Sequence, residues 1–244
     1  MNNIPDFISP IDYELLKNKY PDNLPTIINK IKNNYPIQYL IGYVDFYGYH
    51  INVDNRALIP RFETEMLVDE TIKLIKEKIT NPKIIDIGTG SGCIAITLSK
   101  ELNTLVTGID ISAPALALAA ENASLNGANI KLYQQDIKSF SLDTKFNVLI
   151  SNPPYLKEGS EVDPKIRFEP RNALYAKDNG LEFYKAILEQ SKNFLEPQNI
   201  IAFEIGYDES KDIIALIKYY YPQSLVIPKK DLANFDRYIF VINE

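Results

Sequence analysis

Residues 84–98 read IIDIGTGSGCIAITL: a short apolar run, three glycines at alternate positions, then an apolar stretch with helical spacing. The pattern predicts a buried strand, a tight turn and a helix. Glycine has no Cβ, so Gly88, Gly90 and Gly92 allow positive φ and close approach of the backbone to a ligand, beside the unpaired N–H groups of a helix N-terminus. A nicotinamide reader wants a third glycine at the spacing G-x-G-x-x-G, with pyrophosphate seated on the helix dipole. Cys93 stands at that position. Asp86, just before the turn, would repel a phosphate yet tolerate an ammonium or sulfonium. The stretch therefore favours S-adenosylmethionine over NAD, with Asp86, Gly88, Thr89, Gly90, Ser91 and Gly92 as candidate donor-binding residues.

On the C-terminal side, apolar runs near 104–109, 129–134, 146–151, 198–205, 223–228 and 236–242 continue the strand series. Helical patterns fill most of the gaps, among them Ala113 to Asn126, with Ser112 as N-cap and Gly127 as stop. This is an α/β chain with a largely parallel sheet. The last two runs have only a short link between them, so they should form a hairpin and bring in one antiparallel edge strand. On the N-terminal side, Val68, Ile72, Ile75 and Ile79 mark one helix face. Residues 1–35 read as a small helical piece (Leu15, Leu16, Ile27, Ile28, Ile31, with Pro21 and Pro25 as punctuation). Residues 36–58 read as a β-hairpin linker with turn or bulge points at Gly42 and Gly48, and 59–244 as the catalytic domain.

Composition narrows the chemistry. The 244 residues are 45% hydrophobic and 24% charged, and 26 basic against 32 acidic side chains leave a net charge of −6. That balance gives no global basic footprint for nucleic acid, and no run approaches the roughly 20 apolar residues of a membrane helix. The opening segment MNNIPDFISPID has neither a basic n-region nor an apolar h-region, so the expected compartment is the cytoplasm. One cysteine, one histidine and no tryptophan leave too few soft ligands for a metal cluster and a single imidazole for a triad, so no metal is expected. Cys93 reads as a small buried helix residue, and His50 as structural.

Asp110 closes the second strand of the series in LVTGIDIS (105–112), where a carboxylate can accept from ribose hydroxyls. In YQQDI (133–137), Asp136 or the backbone of Ile137 could meet an adenine. The alternative reading, less favoured for both aspartates, is that they simply cap the helices that follow. The fourth strand, FNVLIS (146–151), runs into Asn152-Pro153-Pro154-Tyr155. The prolines fix φ and remove two donors, leaving a rigid acceptor surface at the carboxyl edge of the sheet. An amide or nucleobase nitrogen is a poor nucleophile because its lone pair is delocalised. If the Asn152 side-chain oxygen and the Pro153 carbonyl each accept one N–H, they hold that nitrogen in the pyramidal geometry of the transition state. Tyr155 could stack on the flat substrate or lie near a sulfonium.

With these residues in hand, the chain resembles the peptide chain release factor glutamine N5-methyltransferases (the PrmC or HemK family). The match runs from Pro36 onward through YPIQYLIG (35–42), FYG (46–48), LIPRFETE (58–65), DIGTGSG (86–92), NPPY (152–155), FEPRNAL (168–174), EIGYD (204–208) and KDLANFDR (230–237). The resemblance implies a seven-stranded, Rossmann-like class I methyltransferase sheet, S-adenosyl-L-methionine as donor, and as substrate the glutamine in the GGQ motif of class 1 peptide chain release factors. It also implies that Gly88 to Gly92, Asp110, Ile137 and Asn152 contact the donor and Asn152 to Tyr155 the glutamine. The 34 residues before YPIQYLIG are about half the family's usual helical domain, and Ile137 stands where relatives often carry an aromatic residue. The expected assembly is a monomer. Competing readings are a ribosomal-protein glutamine methyltransferase and an adenine-N6 or cytosine-N4 nucleic-acid methyltransferase. From other classes, the alternatives are a nucleotide-binding oxidoreductase, which Cys93 and Asp86 disfavour, and an adaptor with a vestigial donor loop.

Around the site, Arg61, Glu63 and Glu65 should open a helix, with Arg61 either neutralising the donor's carboxylate or bracing the NPPY loop. The segment 156–179 is long enough to fold over the substrate. Within it Glu169 and Arg171 are expected to pair with each other. Gly206 should serve tight packing.

Overall fold

The computed structural model describes residues 4–244; the first three residues of the opening segment read above lie outside it. Helices α1 (Pro10–Lys19), α2 (Leu24–Lys32) and α3 (Ile37–Ile41) come first, followed by a hairpin of β1 (Tyr43–Phe46) and β2 (Tyr49–Asn52). Then come α4 (Phe62–Lys78), β3 (Ile84–Ile87), α5 (Cys93–Leu102), β4 (Val106–Asp110), α6 (Ala113–Asn126), β5 (Ile130–Gln134) and β6 (Phe146–Ser151). Two short strands, β7 (Leu156–Lys157) and β8 (Tyr175–Ala176), precede α7 (Glu182–Phe194), β9 (Leu195–Glu204), α8 (Ser210–Tyr220), β10 (Leu225–Lys230) and β11 (Asp236–Asn243).

Seven strands form one sheet in the order β10-β11-β9-β6-β3-β4-β5. From β3 the chain winds outward to β5, then returns to β6 on the other side, so the strand order switches between β3 and β6. Ligands of open α/β sheets bind outside the carboxyl ends at such a point. Alternation along each strand feeds two apolar layers. Ile84, Val148 and Ala202 pack with Leu67 of α4 and Ile94 of α5, whereas Ile85, Leu149 and Ile201 pack with Ile187 of α7 and Ile213 of α8. The predicted caps of α6 are present: Ser112 accepts from the Ala115 N–H, and Gly127 ends the helix in the left-handed region.

The terminal hairpin forms as predicted, but the reversed strand is not the edge. β11 runs antiparallel to both β9 and β10 and lies one place inside. Its residues Tyr238 to Val241 are buried, while β10 carries Pro228, Lys229 and Lys230 on a largely exposed strand. Proline and lysine suit an edge, where a ladder donor is dispensable and charge discourages further pairing. Gly42 also departs from its reading as a hairpin turn: at φ 97° it caps α3, and Gly48 makes the tight turn. Helices α1 to α3 share a small apolar core of their own, built on Tyr13, Leu16, Ile27 and Leu40. The hairpin is moored by Asn122 of α6, whose side chain bonds both main-chain groups of Asn52 and the Ser91 carbonyl.

Candidate active site

The glycine turn has the backbone its sequence demands, with φ of 73° at Gly88, 55° at Gly90 and 83° at Gly92. The three serve different ends. A Cβ on Gly92 would stand 3.1 Å from Ala119 Cβ, so this residue lets α6 approach α5. A Cβ on Gly88 would meet nothing within 4 Å, which leaves open space for a ligand. Beside it, Asp110 Oδ2 accepts the Gly90 N–H at 2.9 Å and Oδ1 accepts the Ser112 N–H at 2.8 Å. One lone pair on each oxygen remains for ribose hydroxyls.

A cavity of about 220 Å³ opens here, lined by Gly88, Gly90, Asp110, Asp136, Ile137, Asn152 and Pro153 among others. Asp86, Thr89, Ser91 and Gly92 do not line it. Asp86 is wholly buried, with Oδ2 accepting the Thr89 hydroxyl at 2.6 Å and Oδ1 unpartnered. These four residues brace the turn from behind. Asp136 both faces the cavity and caps the short helical turn Ile137–Ser139, accepting the Lys138 N–H. The open cradle at Gly88, the free lone pairs of Asp110 and the apolar wall of Ile109 and Ile137 fit a nucleoside-bearing donor. Cys93 is buried, and burial pushes its thiol up to about 12. His50 stacks on Tyr43 at 4.1 Å in the hairpin. Among the described residues, no group of three or more His, Cys, Asp and Glu is placed to hold a metal ion.

A second cavity, of about 250 Å³, lies on the far side of the tetrapeptide and is lined by Arg61, Tyr155, Val162, Ile166 and Glu204. Asn152, Pro153 and Pro154 line both cavities. Tyr155 lines only the second. The segment after it supplies Val162, Asp163, Ile166, Ala173 and Leu174 to the same wall. The Asn152 Nδ2 donates to Thr64 Oγ1 at 3.1 Å, and the Thr64 hydroxyl donates to Glu204 Oε2 at 2.7 Å. Sequence reasoning missed Thr64 and Glu204. Both lie inside the quoted motifs LIPRFETE and EIGYD, and Glu204 at the end of a buried strand was the available signal.

The expected pair between Glu169 and Arg171 does not form. Glu169, with its side chain 1% exposed, accepts from Arg61 Nη2 at 2.5 Å and from the Ile59 N–H at 2.9 Å. Arg171 points to solvent, where it meets Glu158 at 2.9 Å and lies over the Tyr175 ring. Glu169 faces inward at a junction that supplies two donors, whereas Arg171, two residues on, has its guanidinium outside. Arg61 thus braces the wall by tying the start of α4 to the segment after NPPY. Glu63 and Glu65 occupy the first turn of α4. Gly206 is a packing position, since a Cβ there would stand 2.7 Å from Glu209 Oε2.

Burial pushes the carboxyls of Asp86 and Glu204 up to about 7, the first aided by the charge of Asp110 and both opposed by a threonine hydroxyl. A folded-state pKa above the unfolded one gives stability that is complete below the unfolded value, near pH 4, and lost as pH rises through about 7. Each group should therefore cost about 1 kcal/mol on going from about pH 6 to pH 8. The partnered carboxylates Asp54, Asp69 and Asp231 are held low and titrate below that window. The expected result is a lower urea midpoint at the higher pH; a flat or rising midpoint would contradict it.

The fold is that of the class I S-adenosylmethionine-dependent methyltransferases. A ribosomal protein L11 methylase from Lactobacillus delbrueckii subsp. bulgaricus matches it with a TM-score of 0.57 at 20% identity, over 80% of this chain and 84% of that one. The family model described as "Methyltransferase small domain" matches residues 64–169. A release factor glutamine methyltransferase from Enterococcus faecalis is 37% identical over 88% of this chain and 79% of its own length, and one from Lactococcus lactis subsp. lactis is 38% identical over 93% and 86%. The chain belongs to the release factor glutamine methyltransferase family.

Proposed function

We propose that this protein transfers a methyl group from S-adenosylmethionine to the side-chain amide nitrogen of a release-factor glutamine, the one in the GGQ motif of class 1 factors. The observation that carries this is the shared wall: Asn152, Pro153 and Pro154 stand between a nucleoside-sized cavity and a second pocket. Gly88 and Gly90 admit the donor's backbone-hugging portion, Asp110 accepts from its ribose, and Asp136 and Ile137 receive its adenine. When bound, the donor supplies a methyl group made electrophilic by the adjoining sulfonium. The chain's own work is to present a nitrogen to it. The Asn152 Oδ1 and the Pro153 carbonyl each accept one amide N–H, which pins the nitrogen and favours the geometry in which its lone pair is released. Positioning of this kind has a ceiling of roughly 7–11 kcal/mol, well above any single contact. Val162 and Ile166 keep water from the pocket. No strong base precedes attack, and water takes the proton once the nitrogen has become acidic.

The protein acts in the cytoplasm as a monomer on this reading, and no described helix is long and apolar enough to cross a membrane. The test is incubation with methyl-labelled S-adenosylmethionine and, separately, class 1 release factors, ribosomal proteins and DNA. Label is expected on the release-factor glutamine. Label on ribosomal protein or DNA with none on a release factor would overturn the assignment.

A further inference from the structure

One hydrogen-bond chain supports the shared wall from within the fold. It starts at Asn152, just beyond β6, passes through Thr64 in the first turn of α4 and ends at Glu204, the last residue of β9. Thr64 is 3% exposed and Glu204 2%, so solvent does not compete for these bonds. A hydroxyl carries a single hydrogen. Thr64 gives that hydrogen to Glu204, whose ionised carboxylate can only accept, and has only lone pairs left for Asn152. The asparagine must then turn its NH2 toward Thr64 and its oxygen the other way.

We propose that Glu204 is a positioning residue which, acting through Thr64, fixes the amide of Asn152 so that its oxygen, not its NH2, faces the substrate. The inference rests on the methyl-transfer reading above. In the flipped orientation Asn152 would aim N–H groups at the hydrogens of the substrate amide, replacing an accepted hydrogen bond with repulsion. The relay also gives a reason for a buried acid. A carboxyl in such a place costs stability unless it is paired, and burial raises Glu204 despite Arg61 and Arg237. The other titratable groups around it are Glu63 on α4, Tyr155 after β6, Tyr184 on α7, Tyr238 on β11 and Cys93 on α5. None of these makes a side-chain hydrogen bond to the Glu204 carboxyl; among the described residues Thr64 alone does, and Tyr184 bonds only its main-chain carbonyl.

Glutamine at 204 could offer an N–H to Thr64 and reverse the chain, so that Thr64 donates to Asn152 and turns its oxygen inward. Valine at 64 keeps the shape and breaks the chain, while serine keeps the hydroxyl. Steady-state kinetics with a class 1 release factor, donor affinity by calorimetry, and the side-chain NH2 signal of Asn152 in 1H–15N spectra of the substrate-free protein form the test. Glu204→Gln and Thr64→Val should each lower kcat by about tenfold or more, in the range set by losing one preorganised acceptor. Donor Kd and release-factor KM should stay within about threefold. Thr64→Ser should recover most of what Thr64→Val loses. The Asn152 NH2 should exchange slowly in wild type and Thr64→Ser, and quickly in Thr64→Val. Wild-type kcat in Glu204→Gln, a serine variant as impaired as valine at equal thermal midpoints, or a loss confined to donor Kd would each overturn the proposal. A wild-type protein that labels no release factor would overturn the functional reading alone; the spectra would still decide the relay, with fast exchange of the wild-type Asn152 NH2 counting against it.

Discussion

Asn152→Ala should lower kcat by about 10²- to 10³-fold, the loss measured when a preorganised transition-state partner is removed, while donor Kd changes by only a few fold. The place of the side chain sets this outcome. Its Nδ2 is committed to Thr64, which leaves Oδ1 as the catalytically useful atom, and that atom belongs to the stretch shared by both cavities. The donor keeps Gly88, Gly90 and Asp110 in the variant, so its affinity has other support. The acceptor nitrogen keeps only the Pro153 carbonyl and regains freedom to stay planar. An interaction made mainly in the transition state lowers kcat and kcat/KM together. Single-turnover rates and donor calorimetry on the same preparation separate the two quantities. If donor affinity fell as far as turnover, Asn152 would be a donor ligand and the acceptor role would be lost.

The parts of this site that could be read from sequence are those in which chemistry is local. Gly88, Gly90 and Gly92 announce a turn because no other residue takes positive φ so cheaply, and the structure has all three in that region. Asn152-Pro153-Pro154-Tyr155 announces itself because two prolines constrain their own backbone wherever they fall. The seven strand runs were visible because the buried parallel core needs continuous apolar stretches. What stayed hidden depends on contacts far apart in the chain. Thr64 and Glu204 are 140 positions apart, and nothing in either segment names the other. Glu169 met Arg61, 108 residues away, in preference to its neighbour Arg171, because the direction in which a loop residue points is set by the wall it packs against. The place of β11 inside the sheet was hidden for a similar reason: the hairpin's existence follows from a short link, but which of its strands joins β9 depends on burial across the whole sheet. Asp86 sits at a position read as facing the ligand, and its pleat direction turns it under α5 instead, where it holds Thr89.

Asp110→Ala is expected to act on the other side of the wall, weakening donor binding by about 10²-fold, as two hydrogen bonds to a charged group at about 1.5–3 kcal/mol each allow when part of the loss is recovered by water. Turnover at saturating donor should fall far less. Both carboxylate oxygens already accept a backbone N–H, from Gly90 and from Ser112, so this aspartate anchors the glycine turn as well as offering acceptors to the ribose. That dual use sets up a control. In Asp110→Asn one side-chain oxygen still accepts from the backbone while the NH2 cannot, so the asparagine variant should bind donor with an affinity between those of wild type and alanine. Burial raises the Asp110 carboxyl, and the N–H bonds from Ser112 and Gly90 oppose that rise; removing the side chain therefore leaves two backbone donors exposed to the cavity without their acceptor. Calorimetric titration with S-adenosylmethionine and with its demethylated product should show the same loss for both, because the ribose is common to them and the methyl is not. A loss seen for the methylated donor alone would place Asp110 near the sulfonium, and an affinity within about threefold of wild type would reduce it to an anchor for the glycine turn and the Ser112 N–H.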